Sequence, residues 1–81
     1  MPVAGVVILA DNTKVKSIYQ NLQKYSNITT YGVHHENQIV AVFEADSSNE
    51  LELMSEEIKE KEEGILGIFP AYVNFEDEVE G

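Results

Sequence analysis

The hydrophobic pattern changes period several times along the chain. Val3–Ala10 is an apolar run rich in β-branched residues, which is typical of a buried strand. The next segment has apolar residues at three- and four-residue spacing, which predicts an amphipathic helix over about residues 13–25. Ile28–His34 and Gln38–Ala45 then predict two strands, joined by a tight connection at Glu36–Asn37.

The second half of the chain begins with a helix signal. Ser47 is followed three residues later by Glu50, which is the spacing of a capping box and predicts a helix start. Leu51 and Ile58 lie on a narrow apolar stripe along this helix. Gly64 is expected at the C′ position that ends it.

A final strand is predicted over Ile65–Phe75, with Pro70 as an interruption. The element order is then β-α-β-β-α-β, which is the ferredoxin-like split βαβ motif. This α+β fold has a four-stranded antiparallel sheet with two helices on one face. We expect a single domain over residues 1–76 and a disordered acidic tail over residues 77–81.

One face of this sheet is apolar without being covered by a helix. Four strands span about 19 Å and one helix about 10 Å, so two helices cover only one face. The first, third and last strands nevertheless carry apolar residues in succession, and successive residues point to opposite faces. Gln38 and Glu44 are even-numbered, as are Val40 and Val42, so all four side chains point to the same face (the same parity). Because Gln38 and Glu44 are polar, we assign this face to the open side. The predicted open-face site comprises Val7, Leu9, Val40, Val42, Glu44, Phe69 and Tyr72, with Tyr31 as a further candidate anchor.

Charge and composition narrow the choice of partner. The 81 residues include five basic and fifteen acidic side chains, for a net charge of −10, and no Cys. This balance argues against nucleic acid and anionic membranes as partners, and the lack of Cys excludes disulfides and thiolate metal sites. An apolar face on an acidic domain favours a basic, amphipathic or hydrophobic peptide. Homodimerisation through the same face is the alternative.

The residues give little support for catalysis or metal binding. His34 and His35 are adjacent strand residues that point to opposite faces, so they chelate poorly. Glu44 and Asp46 form a carboxylate pair without a nucleophile or cofactor partner nearby. We therefore expect no enzyme, no metal and no cofactor, and Glu44 would instead contact an Arg of a bound peptide.

The sequence also resembles a known family, the NapD-type chaperones of periplasmic nitrate reductase maturation. The resemblance runs from Gly5 to about Asp77 and includes Val6–Ala10, Gln38–Ala45, Glu63–Ile68 and Ala71–Val73 followed by the acidic tail. It implies a cytoplasmic chaperone that binds the twin-arginine signal peptide of the nitrate reductase catalytic subunit. Export would be delayed until the molybdenum cofactor and iron–sulfur cluster are in place. Pro70 departs from smoother versions of the last strand.

Two hypotheses of different classes follow. In the first, a monomer or weak homodimer binds the signal peptide on the open face, as a helix or, less readily, as an added edge strand. In the second, the chain is a homodimeric regulatory domain that binds a small effector, as ACT-type and Lrp-type domains do. Acylphosphatases of this fold need an Arg, and the chain contains only Lys among its five basic residues.

Overall fold

The computed structural model describes residues 2–74. Four antiparallel strands form one sheet in the order β2-β3-β1-β4, which confirms the predicted α+β ferredoxin-like arrangement. The elements are β1 Val3–Ala10, α1 Val15–Leu22, β2 Ile28–His34, β3 Gln38–Glu44, α2 Ser48–Lys61 and β4 Ile65–Asn74. Phe75 and the predicted tail over residues 77–81 lie outside the described residues, and the single-domain organisation stays a prediction.

Helix α1 is shorter than the hydrophobic period predicts. The Asp11 carboxylate accepts hydrogen bonds from the backbone N–H and the hydroxyl of Thr13, at 2.9 and 2.7 Å. These two bonds hold the pKa of the Asp11 carboxyl below its ordinary value. The backbone N–H of Lys14 donates to the Asp11 carbonyl at 2.8 Å, so this segment closes a turn before the helix begins.

The start of α2 follows the predicted capping pattern. The Ser47 hydroxyl accepts a hydrogen bond from the Glu50 backbone N–H at 3.2 Å, as an N-cap side chain does. The Glu50 carboxylate accepts a bond from the Asp46 backbone N–H at 3.3 Å, one residue before the cap. Lys59 and Lys61 lie in the last turn, where cations interact favourably with the helix dipole.

The end of α2 differs by one residue from the prediction. The C-cap is Glu62, so Gly64 lies two residues beyond it and the predicted C′ placement is wrong. The residue nevertheless adopts the left-handed conformation, with φ of +103°. Its carbonyl accepts a hydrogen bond from the Asp11 backbone N–H at 2.8 Å, which ties the turn after α2 to the end of β1.

Replacing Gly64 by Ala should lower the free energy of unfolding by about 2 kcal/mol, because an L side chain is strained at positive φ. The new Cβ would also lie 2.7 Å from the Lys14 Cβ. Gly5→Ala is the matched control, since its Cβ would lie at an ordinary 3.6 Å from the Tyr72 Cβ. Urea denaturation of both variants makes the comparison, and equal losses would contradict this account of Gly64.

The core lies between the sheet and the two helices. Alternate residues of β1 and β3 are buried. Ile39, Ala41 and Phe43 therefore face the helices, which confirms the assignment of Val40 and Val42 to the opposite, open side. Ile18 and Leu22 of α1 pack on the buried residues. The other buried apolar residues are Ala4, Val6, Ile8, Ala10, Ile28, Ala45, Leu51 and Ile58.

The β2–β3 turn begins one residue before the predicted connection. It includes Glu36 and Asn37 as expected, but His35 also belongs to it. His35 and Glu36 have φ of 53° and 70°, so two non-glycine residues adopt left-handed conformations. Such conformations are typical of tight hairpin turns because they match the twist of the flanking strands.

Candidate functional site: the open face of the sheet

The side of the sheet turned away from α1 and α2 is called the open face here. Along β1 and β3 the half-buried and exposed residues alternate with fully buried ones, so their parity defines this face. Cross-strand partners extend it onto the edge strands. Its residues are Val3, Gly5, Val7 and Leu9 of β1, Gln38, Val40, Val42 and Glu44 of β3, Thr29 and His34 of β2, and Gly67, Phe69 and Tyr72 of β4. Strand alternation from Thr29 adds Tyr31 of β2.

The two central strands supply the middle of the open face. Val7 lies opposite Val40, and Gly5 lies opposite Val42. Directly opposed residues of an antiparallel pair share one face, so these side chains form a continuous apolar centre. The structure therefore places the predicted residues of β1 and β3, namely Val7, Leu9, Val40, Val42 and Glu44, on the open face as the sequence analysis assigned them.

Strand β4 reaches the same face through an irregularity at Pro70. Phe69 and Tyr72 are three residues apart, which in a regular strand would put them on opposite faces. The β1–β4 register shifts between Gly5 and Val6, so that Phe69 lies opposite Val7 and Tyr72 lies opposite Gly5. Both aromatic residues consequently lie on the open face, as predicted. Whether they contact a peptide stays a prediction.

The open face has exposed aromatic residues on both edge strands and half-buried valines between them, and this arrangement is called the trough. Phe69 and Tyr72 on β4 are 55% and 60% exposed, and Tyr31 on the opposite edge strand β2 is 59% exposed. A Cβ on Gly67 would lie 2.7 Å from the Phe69 Cζ, so the aromatic ring covers the backbone of Gly67. Gly5 has no side chain, so the surface between the central valines stays low. Sequence reasoning missed the roles of both glycines, because a strand glycine gives no sign of which face it lies on.

Acidic charge and apolar surface are largely on opposite sides of the molecule. Helix α2 contains Glu50, Glu52, Glu56, Glu57 and Glu60, with Glu62 and Glu63 directly after it. This helix packs on the covered side of the sheet. Glu44 is the carboxylate that the described strands place on the open face. Acidic and apolar residues therefore occur together, as expected, at the Glu44 end of β3, but they do not occur together across the whole open face.

A cavity lined by both acidic and apolar residues lies at the Glu44 end of β3. The cavity has a volume of about 460 Å³ and is lined by Glu44, Asp46, Glu50 and Glu57, with Ser26 and Asn27 from the α1–β2 connection among its other residues. Four carboxylates around one cavity attract cations. Glu44 belongs both to this cavity and to the end of the open face.

The described part of the chain gives little support for metal binding or for a helix that crosses a membrane. Residues 2–74 contain no group of three or more His, Cys, Asp or Glu side chains placed to hold a metal ion. Within the same residues, no helix combines the length and apolar character needed to cross a membrane.

Comparison with known proteins gives one positive finding. The family model described as NapD protein matches residues 1–77, which is nearly the whole chain. No curated protein matches the chain significantly.

Proposed function

The chain belongs to the NapD family, and from this premise we propose that it is a cytoplasmic chaperone of periplasmic nitrate reductase maturation. In this proposal the open face binds the twin-arginine signal peptide of the catalytic subunit. Binding would delay export until the cofactors of that subunit are loaded, and the chain itself would need neither catalytic residues nor a cofactor. The observation that carries the proposal is the uncovered apolar trough between aromatic edges.

The width of the trough supports a helical peptide. Tyr31 and Phe69 lie on the two edge strands, which are three strand intervals, or about 14 Å, apart. An α-helix with its side chains is about 10–12 Å across, so it fills the space between the aromatic edges. An added strand at either edge would leave Val7 and Val40 exposed. The helix is therefore the conformation that buries most of the apolar floor.

Charge supports one orientation of the bound peptide. The Arg pair would lie at the end of β3, where the Glu44 carboxylate and the cavity beyond it provide acceptors. Arg suits this role because its guanidinium binds a carboxylate through two parallel hydrogen bonds. The apolar stretch that follows the Arg pair would then lie over Val42 and Val40, towards Gln38.

The Glu44 contact can be tested by calorimetric titration with a synthetic twin-arginine signal peptide. We expect Glu44→Gln to weaken binding about three- to tenfold, because a charge-assisted hydrogen bond is lost. Glu60→Gln makes the same charge change on α2, away from the open face, and should weaken binding less than about twofold.

A peptide with both Arg replaced by Gln completes the test as a double-mutant cycle. The wild-type chain should lose affinity for it, whereas Glu44→Gln should lose clearly less. If Glu44→Gln and Glu60→Gln weaken binding equally, only overall charge matters and the proposed contact is wrong.

A further inference from the structure

A second apolar surface lies on the covered side of the sheet, between α2 and β4. A cavity of about 270 Å³ is lined by Val6, Phe43, Leu51 and Ile68, among other residues. A second cavity of about 220 Å³ shares Glu52, Ser55, Ile68 and Pro70 with the first, so that the two form one groove. This α2–β4 groove is separated from the open face by the thickness of the sheet.

The groove exists because α2 does not reach over the edge strand. Leu51 and Ile58 turn inward and are buried in the core. Towards β4 the helix presents Ser55, which is too small to fill the space, and Glu52, which is exposed. Ile68 of β4 is left half-buried and Pro70 exposed. Ile68 and Pro70 consequently form an apolar surface along the helix that solvent reaches, above the buried Val6, Phe43 and Leu51.

In contrast to the open face, this groove combines its apolar floor with acidic residues. Glu52 and Glu56 line it, and Lys59 is the one basic residue in its lining. Both glutamates are exposed, so their carboxylates are accessible to a ligand. Apolar contact and negative charge within one groove select an apolar ligand that carries positive charge.

The same charge argument disfavours the other occupants. The tail of this chain carries Glu76, Asp77, Glu78 and Glu80, which the groove glutamates would repel. A second copy of the chain brings a net charge of −10 against an equal charge. A cationic segment of another protein is therefore the occupant that the groove fits.

We propose that the α2–β4 groove binds a short, extended, cationic peptide segment of a partner protein, in which apolar side chains alternate with Lys or Arg. The rise of α2 between Asn49 and Lys59 is about 15 Å, which matches four or five extended residues. Apolar side chains at alternate positions contact Ile68 and Pro70. The long basic side chains curve back to Glu52 and Glu56 at the rim.

The test uses the full chain labelled with ¹⁵N and the peptide acetyl-Arg-Leu-Arg-Leu-Arg-amide, followed by heteronuclear NMR. We expect chemical-shift changes along residues 49–59 of α2 and at Ile68 on β4, with Val40 and Val42 of the open face unchanged. The acidic peptide acetyl-Glu-Leu-Glu-Leu-Glu-amide should cause none of these changes. Shift changes centred on the open face, or no binding at millimolar peptide, would overturn the proposal.

Two double variants separate a local contact from overall charge. Glu52→Gln with Glu56→Gln should weaken peptide binding at least about fivefold. Glu60→Gln with Glu63→Gln changes the net charge equally outside the groove lining, at the end of α2 and just after it, and should weaken binding less than about twofold. Equal weakening would overturn the proposal.

A third variant, Ser55→Leu, fills the groove without changing charge and should also reduce binding of the cationic peptide. None of these substitutions lies on the open face, so each should leave signal-peptide binding unchanged. The groove proposal and the proposed function can therefore fail independently of each other.

Discussion

Val42→Glu is expected to weaken binding of the twin-arginine signal peptide at least tenfold while the chain stays folded. Val42 lies at the centre of the open face, opposite Gly5 and Thr29. An apolar peptide that covers this position would bury an unpaired carboxylate, which costs several kcal/mol. In the free protein the new side chain reaches water from the open face, so we expect the free energy of unfolding to change by less than about 1 kcal/mol.

Calorimetric titration and circular dichroism together test this prediction. Val42→Thr is the control, because it keeps the branched shape and adds no charge, and it should lose only a small part of the affinity. Unchanged affinity for Val42→Glu would show that the peptide does not cover the centre of the open face. Unfolding of Val42→Glu would show that the side chain packs in the core.

Phe43→Ala should have the largest effect on stability, with a loss of about 3–5 kcal/mol. Phe43 is fully buried between the sheet and the helices and also lines the α2–β4 groove. Removing the ring leaves a cavity that the surrounding strands cannot close. Since small domains have about 5–15 kcal/mol of total stability, much of it would be lost.

Urea denaturation measures this loss, with Val40→Ala as the control on the same strand. Val40 lies on the open face and is only half-buried, so its truncation should cost about 1 kcal/mol or less. A loss below about 1 kcal/mol for Phe43→Ala would contradict the described core. Two neighbouring positions of β3 should thus have different effects. Substitution of Val42 should reduce peptide binding, whereas substitution of Phe43 should reduce stability.

The bounds of the strands could be predicted closely from the sequence, whereas the ends of the helices could not. Strand β2 has the predicted bounds, because its β-branched and aromatic residues lie between a helix end and a turn. The hydrophobic period at α1 extends beyond the helix itself. Before the helix, the Asp11–Thr13 hydrogen bonds close a turn that competes with helical geometry. Periodicity detects which residues face the core but not which local hydrogen bonds form.

The parity of the open face was predictable where polar residues mark it. Gln38 and Glu44 flank the valines of β3 and reveal which side meets water. Strand β4 offers no such marker, and the register shift beside Pro70 reverses the parity of the residues that follow. The alternation rule alone could therefore not place both Phe69 and Tyr72 on one face.

The distribution of charge was not predictable from composition. A net charge of −10 applies to the whole chain and does not say which face carries it. The structure places the glutamates of α2 on the side of the sheet away from the open face. At physiological salt, charges more than about 8 Å apart are strongly screened. Apolar contact, together with Glu44, should consequently dominate peptide affinity on the open face.

Binding of the signal peptide to the open face is tested by an NMR titration of the ¹⁵N-labelled chain with a synthetic twin-arginine signal peptide, and sedimentation gives the oligomeric state at the same concentration. We expect a saturating one-to-one complex with chemical-shift changes across Val7, Val40, Val42 and Phe69, and small changes on α2. A stable dimer that buries the open face and leaves the peptide unbound would contradict the proposed function and favour an effector-binding regulatory domain. Shift changes confined to the α2–β4 groove would equally contradict the open face as the signal-peptide site.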